Sequence, residues 1–256
     1  MLATFGLFPL LGLVLYPLAK RVLPIELAGG LLFLCALPAT VQSAIAFTSI
    51  ARGNVPAAIC SSSASTILGL FFTPLLARLL LGTSGGISLD GRRILALFGQ
   101  ILVPFVIGHL ARARLAGLLA KRSPVLGVTD RGSILLVVYG AFSASVTEGL
   151  WKRTSPTSLL LLGALCLLLL VAVLITTTLA SRAAGFTKED EITAVFCGSK
   201  KSLASGIPMA RVLFPVATMG AMVLPLMVFH QLQLMVCSAL AARYARRPVV
   251  EEKQAD

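Results

Sequence analysis

Long apolar segments separated by short charged ones run along almost the whole chain. Eight of these segments are long enough to cross a bilayer, because a hydrocarbon layer of about 30 Å requires about 20 helical residues. They cover residues 1–19, 25–51, 55–81, 92–111, 132–150, 158–180, 191–213 and 216–241. The connections between them are short. The pattern therefore predicts an all-α polytopic membrane protein with a single membrane domain over residues 1–256.

Composition supports the membrane class and excludes a soluble core. The mean hydropathy is +0.94, 57% of the residues are apolar and only 12% are charged. The net charge of +12 does not indicate a nucleic-acid partner, because the cations lie at span ends. Outside Lys200 and Lys201, twelve Lys and Arg residues lie on the side that holds both termini and eight on the other. This bias predicts a multi-pass protein with both termini cytoplasmic.

Two of the predicted spans contain residues that interrupt a helix. Pro38 removes a backbone donor in the 25–51 span, and Gly198 and Pro208 interrupt the 191–213 span. Free carbonyls at bilayer depth are tolerated only where they face protein or a water-filled cavity. The sequence therefore predicts two broken helices that line a site. After the first of them, Arg52-Gly53-Asn54 predicts a tight exit in which Gly or Asn supplies a positive φ.

The two interrupted spans also predict an internal inverted repeat. The segment from Ser43 to Arg52 can be laid on the segment from Ser202 to Arg211, and charge counting puts their ends on opposite sides of the membrane. In transporters with inverted repeats, two broken helices meet near the midplane and form the substrate and ion site. This register pairs Gln42 with Lys201.

Further polar residues complete the candidate site. The 55–81 span carries hydroxyl residues from Ser61 to Thr66; helix packing explains most of them, and a ligand role for Ser62 is the alternative. In the last span, His230, Gln231 and Gln233 cannot all face lipid. The candidate binding residues are Thr40, Gln42, Ser43, Ser62, Ser199, Lys200, Lys201, Ser202 and Gln231.

The sequence carries no pattern typical of a catalytic or metal-binding site. The five cysteines lie in apolar spans without Cys-x-x-Cys spacing, which favours small buried side chains over a metal site or disulfides. The chain lacks a sequence pattern for a nucleophile with its base, and for a phosphate-binding loop. We therefore predict that it is not an enzyme and needs no cofactor, with a sodium ion near Gln42, Ser43 and Ser62 as the one ligand ion to consider.

The interrupted segments identify a family. Leu37–Ser43, Ala51–Asn54, Phe196–Ser202 and His230–Gln233 closely resemble motifs of the bile acid:sodium symporter family, in its bacterial branch related to the seventh member of vertebrate solute carrier family 10. The resemblance covers essentially the whole chain. It implies ten spans in two inverted five-helix repeats, divided into a core and a panel domain.

On this resemblance, eight of the ten spans are present. The core-type spans are 1–19, 25–51, 55–81, 158–180, 191–213 and 216–241, and the panel-type spans are 92–111 and 132–150. The first predicted span corresponds to the third of the family, so we expect two panel spans upstream, lost through a late start codon or in a fragment.

The resemblance implies alternating-access transport of a small organic anion coupled to sodium, with the bilayer as the other partner. The site departs from that pattern, because the matching break, Gly198 to Ser202, offers Ser199, Lys200, Lys201 and Ser202 where well-coupled members have a glutamate and amide side chains. An ammonium repels a hard cation that needs oxygen ligands. We hypothesise that one lysine ammonium occupies the place of a sodium ion and contacts Gln42, Ser43 or Ser62. Transport would then be sodium-independent or proton-coupled.

Two alternatives stay open at this point. The lysines could instead pair with a carboxylate such as Glu191, or extend to the membrane surface. The alternative function is a non-transporting or sodium-independent membrane regulator of calcium homeostasis.

Overall fold

The computed structural model describes residues 1–82 and 155–247, together with single helical positions between 92 and 143. The two continuous ranges contain eight α-helices and no strand. The helices are α1 (Phe8–Val22), preceded by a π-helical turn (Ala3–Leu7), α2 (Ile25–Ala36), α3 (Val41–Ile50), α4 (Val55–Gly82), α5 (Pro156–Ala183), α6 (Lys188–Gly198), α7 (Leu203–Leu213) and α8 (Val216–Ala245). The two panel-type spans, 92–111 and 132–150, lie outside the continuously described residues.

Within the described residues, four helices are long and apolar enough to cross a membrane. They are Ala3–Val22, Val55–Gly82, Pro156–Ala183 and Thr218–Ala245. Taken together, α2 and α3 are also long and apolar enough to cross a membrane, with a bend of 65° at the break between them. These helices confirm the predicted all-α polytopic membrane class.

Both predicted breaks are confirmed, but the predicted interruption at Pro208 is wrong, because α7 continues through this proline and lacks only the hydrogen bond that its missing N–H would make. The repeat register also differs from the sequence pairing. The first break runs from Leu37 to Thr40 and the second from Ser199 to Ser202. Thr40 and Ser202 are the residues immediately before α3 and α7. The starts of the second half-helices therefore pair Thr40 with Ser202, and the predicted pairing of Ser43 with Ser202 is wrong by three positions. The matched small residues lie inside α3, whereas the break itself is extended chain with ψ of 154° at Leu37.

The two broken helices run in opposite directions. The end of α3 meets the start of α6, where the Asn54 side chain donates to Asp190 Oδ1 at 2.8 Å and the Asn54 N–H donates to the Glu189 carbonyl at 3.2 Å. The other ends of α3 and α6 meet at the two breaks. This arrangement agrees with the inverted repeat predicted from the sequence.

The exit from α3 is tight, but its positive φ belongs to a different residue from the one predicted. Arg52 has a φ of 55°. Gly53 is needed for space instead, because a Cβ there would lie 2.8 Å from the side chains of Thr48 and Ile192. The glycine thus allows the α3 exit to pack closely on α6.

Helix α2 lies at the centre of the bundle. Every residue from Leu27 to Ala36 is buried, and α2 packs against α1, α4 and α8. The contact with α8 is close: a Cβ on Gly30 would lie 2.5 Å from the Met222 carbonyl oxygen. On the other side, Gly69 of α4 allows the close approach of Pro38, whose Cβ would be 2.6 Å from an added Cβ. The first break is therefore held in a fixed position.

Candidate functional site

The two breaks contact each other directly through their backbones. The Ser202 N–H donates to the Pro38 carbonyl at 2.9 Å, and the Thr40 hydroxyl donates to the Lys201 carbonyl at 2.7 Å. The Ala39 N–H, which has no helical acceptor, donates to Ser65 Oγ of α4 at 3.1 Å. These bonds satisfy backbone groups that each break releases. The crossing is consequently one connected unit and not two independent kinks.

Gln233 of α8 fixes the second break. Its Oε1 accepts from the Lys201 N–H at 2.9 Å, and its Nε2 donates to the Lys201 carbonyl at 3.0 Å. His230 Nδ1 lies 2.8 Å from the same Nε2. Gln231, the glutamine that we selected from the sequence, is exposed. Side chains two positions apart on a helix point in nearly opposite directions. The polar cluster therefore predicted correctly that this helix contributes to the site, but the contributing residue is Gln233 and not Gln231.

The Lys201 side chain lies fully buried against α1 and α2. Its ammonium donates to the backbone carbonyls of Thr4, Cys35 and Leu37, at 2.9, 2.9 and 2.6 Å. We call these three oxygens the carbonyl cage. An ammonium has three donors, so the cage uses all of them. The Phe8 ring, with its centroid 4.2 Å from Nζ, covers the site from another side.

The chain makes the three cage carbonyls available for local reasons. In the π-helical turn, the Phe8 N–H donates to the Ala3 carbonyl, and the next carbonyl, Thr4, would need an N–H from Pro9, which has none. Cys35 and Leu37 lie at the carboxyl end of α2, where the last carbonyls have no helical partner. A cation is favoured there by the helix dipole as well.

The Lys200 side chain points to the other side of the crossing. Its Nζ is buried and, among the described residues, has no oxygen or nitrogen acceptor; the Cys237 thiol of α8, a weak acceptor, interacts with it. The ammonium lies 4.4 Å from the ring centroid of Phe47 in α3 and 5.6 Å from that of Phe196 in α6. We call these two rings the aromatic pair. Ring faces attract a cation but supply much less than the hydration that burial removes.

Two further polar groups near α3 have no hydrogen-bond partner in the described part of the chain. They are the hydroxyls of Ser43 and Thr48. The start of α3 is also without a side-chain cap, since the Thr40 hydroxyl donates to Lys201 instead of accepting from the first turn. The start of α7, by contrast, is capped by Ser202 Oγ, which accepts from the Ser205 N–H at 3.2 Å.

The hydrogen bonds that we hypothesised between a lysine and Gln42, Ser43 or Ser62 are wrong. Lys201 uses its three donors on carbonyls, and Lys200 has no oxygen or nitrogen acceptor in the described residues. Ser62 Oγ lies 3.7 Å from the Cys197 thiol. Gln42 is exposed on the first turn of α3. The side-chain contacts could not be read from the sequence because the acceptors of Lys201 are backbone atoms, which every residue carries.

The alternative partner of the lysines, Glu191, is used elsewhere. Its carboxylate accepts from Arg182 at 3.0 Å and from Lys188 at 2.6 Å.

Ser199 Oγ lies 3.9 Å from the Cys237 thiol, on the Lys200 side of the crossing. Within the described ranges, no group of three or more His, Cys, Asp or Glu side chains could hold a metal ion. The crossing thus holds two buried lysine side chains, and in the described ranges no carboxylate is bonded to either of them.

Comparison with known proteins gives consistent matches. The family model of the SBF-like CPA transporter family matches residues 1–246. A Pseudomonas aeruginosa relative named "Uncharacterized protein PA2026" is 57% identical over 246 residues, which are 95% of this chain and 73% of the relative. The Escherichia coli relative "Putative symporter YfeH" is 51% identical over 251 residues, 96% of this chain and 74% of the relative. The rat "Sodium/bile acid cotransporter 7" is 30% identical over 213 residues, 82% of this chain and 62% of the relative.

Proposed function

Because the chain belongs to the SBF-like CPA transporter family, we propose that it is a secondary active transporter of small organic anions. Its substrate site lies where the two broken helices cross, and it works by alternating access around that crossing. The observation that carries the proposal is the Lys200 ammonium, which is fully buried without an oxygen or nitrogen acceptor in the described residues.

A buried ammonium without an oxygen or nitrogen acceptor calls for an anionic partner. Transfer of an isolated charge out of water is very costly, and a hydrogen-bonded counter-ion reduces that cost. A substrate carboxylate or sulfonate would supply both charge and acceptor oxygens. Charged groups within a membrane bundle are expensive and typically mark substrate or ion pathways.

The surroundings of α3 add donors for the same anion. The start of α3 has no side-chain cap, and the positive end of its dipole points toward the crossing. Ser43, in the first turn, has a hydroxyl without a partner in the described part of the chain. Half-helix starts that point at anionic substrate groups are a recurring feature of transporters with broken helices.

The substrate class follows from charge and from the named relatives. One relative is named as a sodium/bile acid cotransporter and another as a symporter, so bile acids such as taurocholate are reasonable first probes. We also propose the inner membrane as location, with both termini cytoplasmic, and the core and panel division of the spans. A transporter of this kind performs no chemistry on its substrate, so we do not propose an enzymatic activity.

The test is uptake into proteoliposomes. The purified protein is reconstituted, and uptake of taurocholate, benzoate and succinate is compared with empty liposomes and with the Lys200→Met variant. We expect uptake of at least one anion by the parent and its loss in Lys200→Met. Uptake of none of the three, with correctly folded protein, would contradict the proposal and favour the non-transporting regulator of calcium homeostasis. Uptake unchanged in Lys200→Met would contradict the role of the lysine.

A further inference from the structure

We propose that the Lys201 ammonium permanently occupies a cation site of the transporter, so that transport proceeds without sodium. The consequence for the coupling ion, that transport does not use sodium, rests on the proposed function. Its physical basis, the occupied cation site, is independent of any transported substrate.

The carbonyl cage has the features of a site for a small cation. Three backbone oxygens converge on one point at 2.6–2.9 Å. Two of them come from the carboxyl end of the half-helix α2, whose dipole attracts positive charge. Unwound carbonyls and half-helix ends of this kind coordinate the coupling cation in transporters with broken helices. Oxygen ligands are also what a hard cation such as sodium requires.

The cage cannot hold a second cation while the lysine is in place. The three oxygens are already bonded to the three ammonium hydrogens, and the Phe8 ring closes another side. A sodium ion next to the ammonium would meet strong repulsion in a buried environment. Among the described residues, no carboxylate bonds to either lysine that could offset this repulsion; Glu191 is paired with Arg182 and Lys188.

The position of the lysine backbone is fixed as firmly as its side chain. Gln233 bonds to both the N–H and the carbonyl of Lys201, and Thr40 donates to the same carbonyl. The ammonium therefore joins the second break to α2 and to the turn before α1. A tethered cation in this place stays with the protein through the transport cycle and cannot be exchanged with the medium.

Thermal unfolding in detergent tests the inference without requiring transport. The parent, Lys201→Ala and the matched control Lys200→Ala are compared in choline, sodium and n-propylammonium chloride. The n-propylammonium ion replaces the atoms that Lys201→Ala removes. We expect it to raise the Tm of Lys201→Ala by about 5 °C or more at saturation, and to leave the parent and Lys200→Ala at their choline values. Sodium should not raise the Tm of the parent above its value in choline.

Two results would overturn the inference. One is a sodium-specific rise in the Tm of the parent, which would show a free sodium site. The other is a folded Lys201→Ala protein whose Tm does not respond to n-propylammonium. If Lys201→Ala does not fold in any of the salts, the test is the Tm of the parent in sodium and in choline. Equal values support the inference, and a higher value in sodium rejects it. Absence of anion uptake would reject the proposed function and leave these unfolding results valid.

Discussion

Lys200 and Lys201 are adjacent in the chain and equally buried, yet their ammonium groups meet different surroundings. Lys201 reaches the carbonyl cage, where three oxygens accept its three hydrogens. Lys200 reaches the aromatic pair on the other side of the crossing, where the described residues give it no oxygen or nitrogen acceptor and only the weakly accepting Cys237 thiol interacts with it. One break thus holds two kinds of buried lysine: Lys201 bonds to the protein backbone, and Lys200 is left available to a ligand.

The difference follows from where each break leaves free backbone groups. The Lys201 side faces a helix end and a turn with carbonyls that have no helical partner, so the cation and the oxygens satisfy each other. The Lys200 side faces α3 and α6 along their lengths, where the backbone is already bonded within the helices. A satisfied charge stabilises the fold, whereas an unsatisfied one costs stability and is retained where a ligand uses it.

Lys201→Met should have the largest effect on stability. The change removes three charge-assisted hydrogen bonds and leaves the buried cage carbonyls without donors. We expect the free energy of unfolding to fall by about 3–5 kcal/mol, measured by denaturant unfolding in detergent. A loss below about 1 kcal/mol would mean that the cage is satisfied by water and that the two sides of the crossing do not differ.

Gln233→Ala should have the next largest effect on stability, because it removes the two hydrogen bonds between the glutamine side chain and the backbone of Lys201. The N–H and carbonyl of Lys201 both lose their bond to the glutamine, and we expect a loss of about 2–3 kcal/mol. Gln231→Ala, two positions away on the exposed face of the same helix, is the matched control and should change stability by less than about 0.5 kcal/mol. Equal effects of the two substitutions in the same unfolding assay would show that Gln233 does not hold the break.

Gly30→Ala tests the packing that holds the cage in position. The added Cβ would lie 2.5 Å from the Met222 carbonyl oxygen and 2.9 Å from the Pro225 ring. Helix α2 must move away from α8, at a cost of about 1–2 kcal/mol. Gly163→Ala in α5 is the control, since nothing lies within 4 Å of the added atom. The two variants are compared by thermal unfolding; a Tm of Gly30→Ala at or above that of Gly163→Ala would contradict the close contact.

The smallest effect concerns Asp190, which joins the ends of α3 and α6 on the Lys200 side. Hydrogen bonds from Asn54 and then Thr187 hold the pKa of this carboxyl below its usual value. Its contribution to stability is therefore present above the pKa of the unfolded chain and is lost as pH falls through the lower pKa of the folded protein. Asp190→Asn should remove this part of the acid destabilisation when Tm is followed across pH. An acid profile identical to that of the parent would contradict the assignment.

Much of the fold could be predicted from the sequence because its causes are local. Pro38 lacks a backbone donor and interrupts a long apolar segment, and Gly198 with the following polar residues does the same in the other repeat. The class of protein, the two breaks and their opposite directions follow from these features. Hydropathy over about 20 residues places four of the described helices and the α2–α3 pair as spans, but not the α6–α7 pair, which carries charged residues.

The contacts within the site could not be predicted because their causes are tertiary. The acceptors of Lys201 are backbone oxygens of Thr4, Cys35 and Leu37, far from it in sequence and without a side-chain signature. The choice between Gln231 and Gln233 depends on how α8 is rotated against its neighbours. Only packing decides that rotation.

The most direct test of the account is Lys200→Met, assayed for stability and for anion uptake on the same preparation. We predict that its Tm equals or exceeds that of the parent, because a buried charge without an oxygen or nitrogen acceptor is removed, while uptake of the anion carried by the parent is lost. A Tm lowered as far as that of Lys201→Met, together with unchanged uptake, would show that Lys200 is the structural cation and would contradict the account.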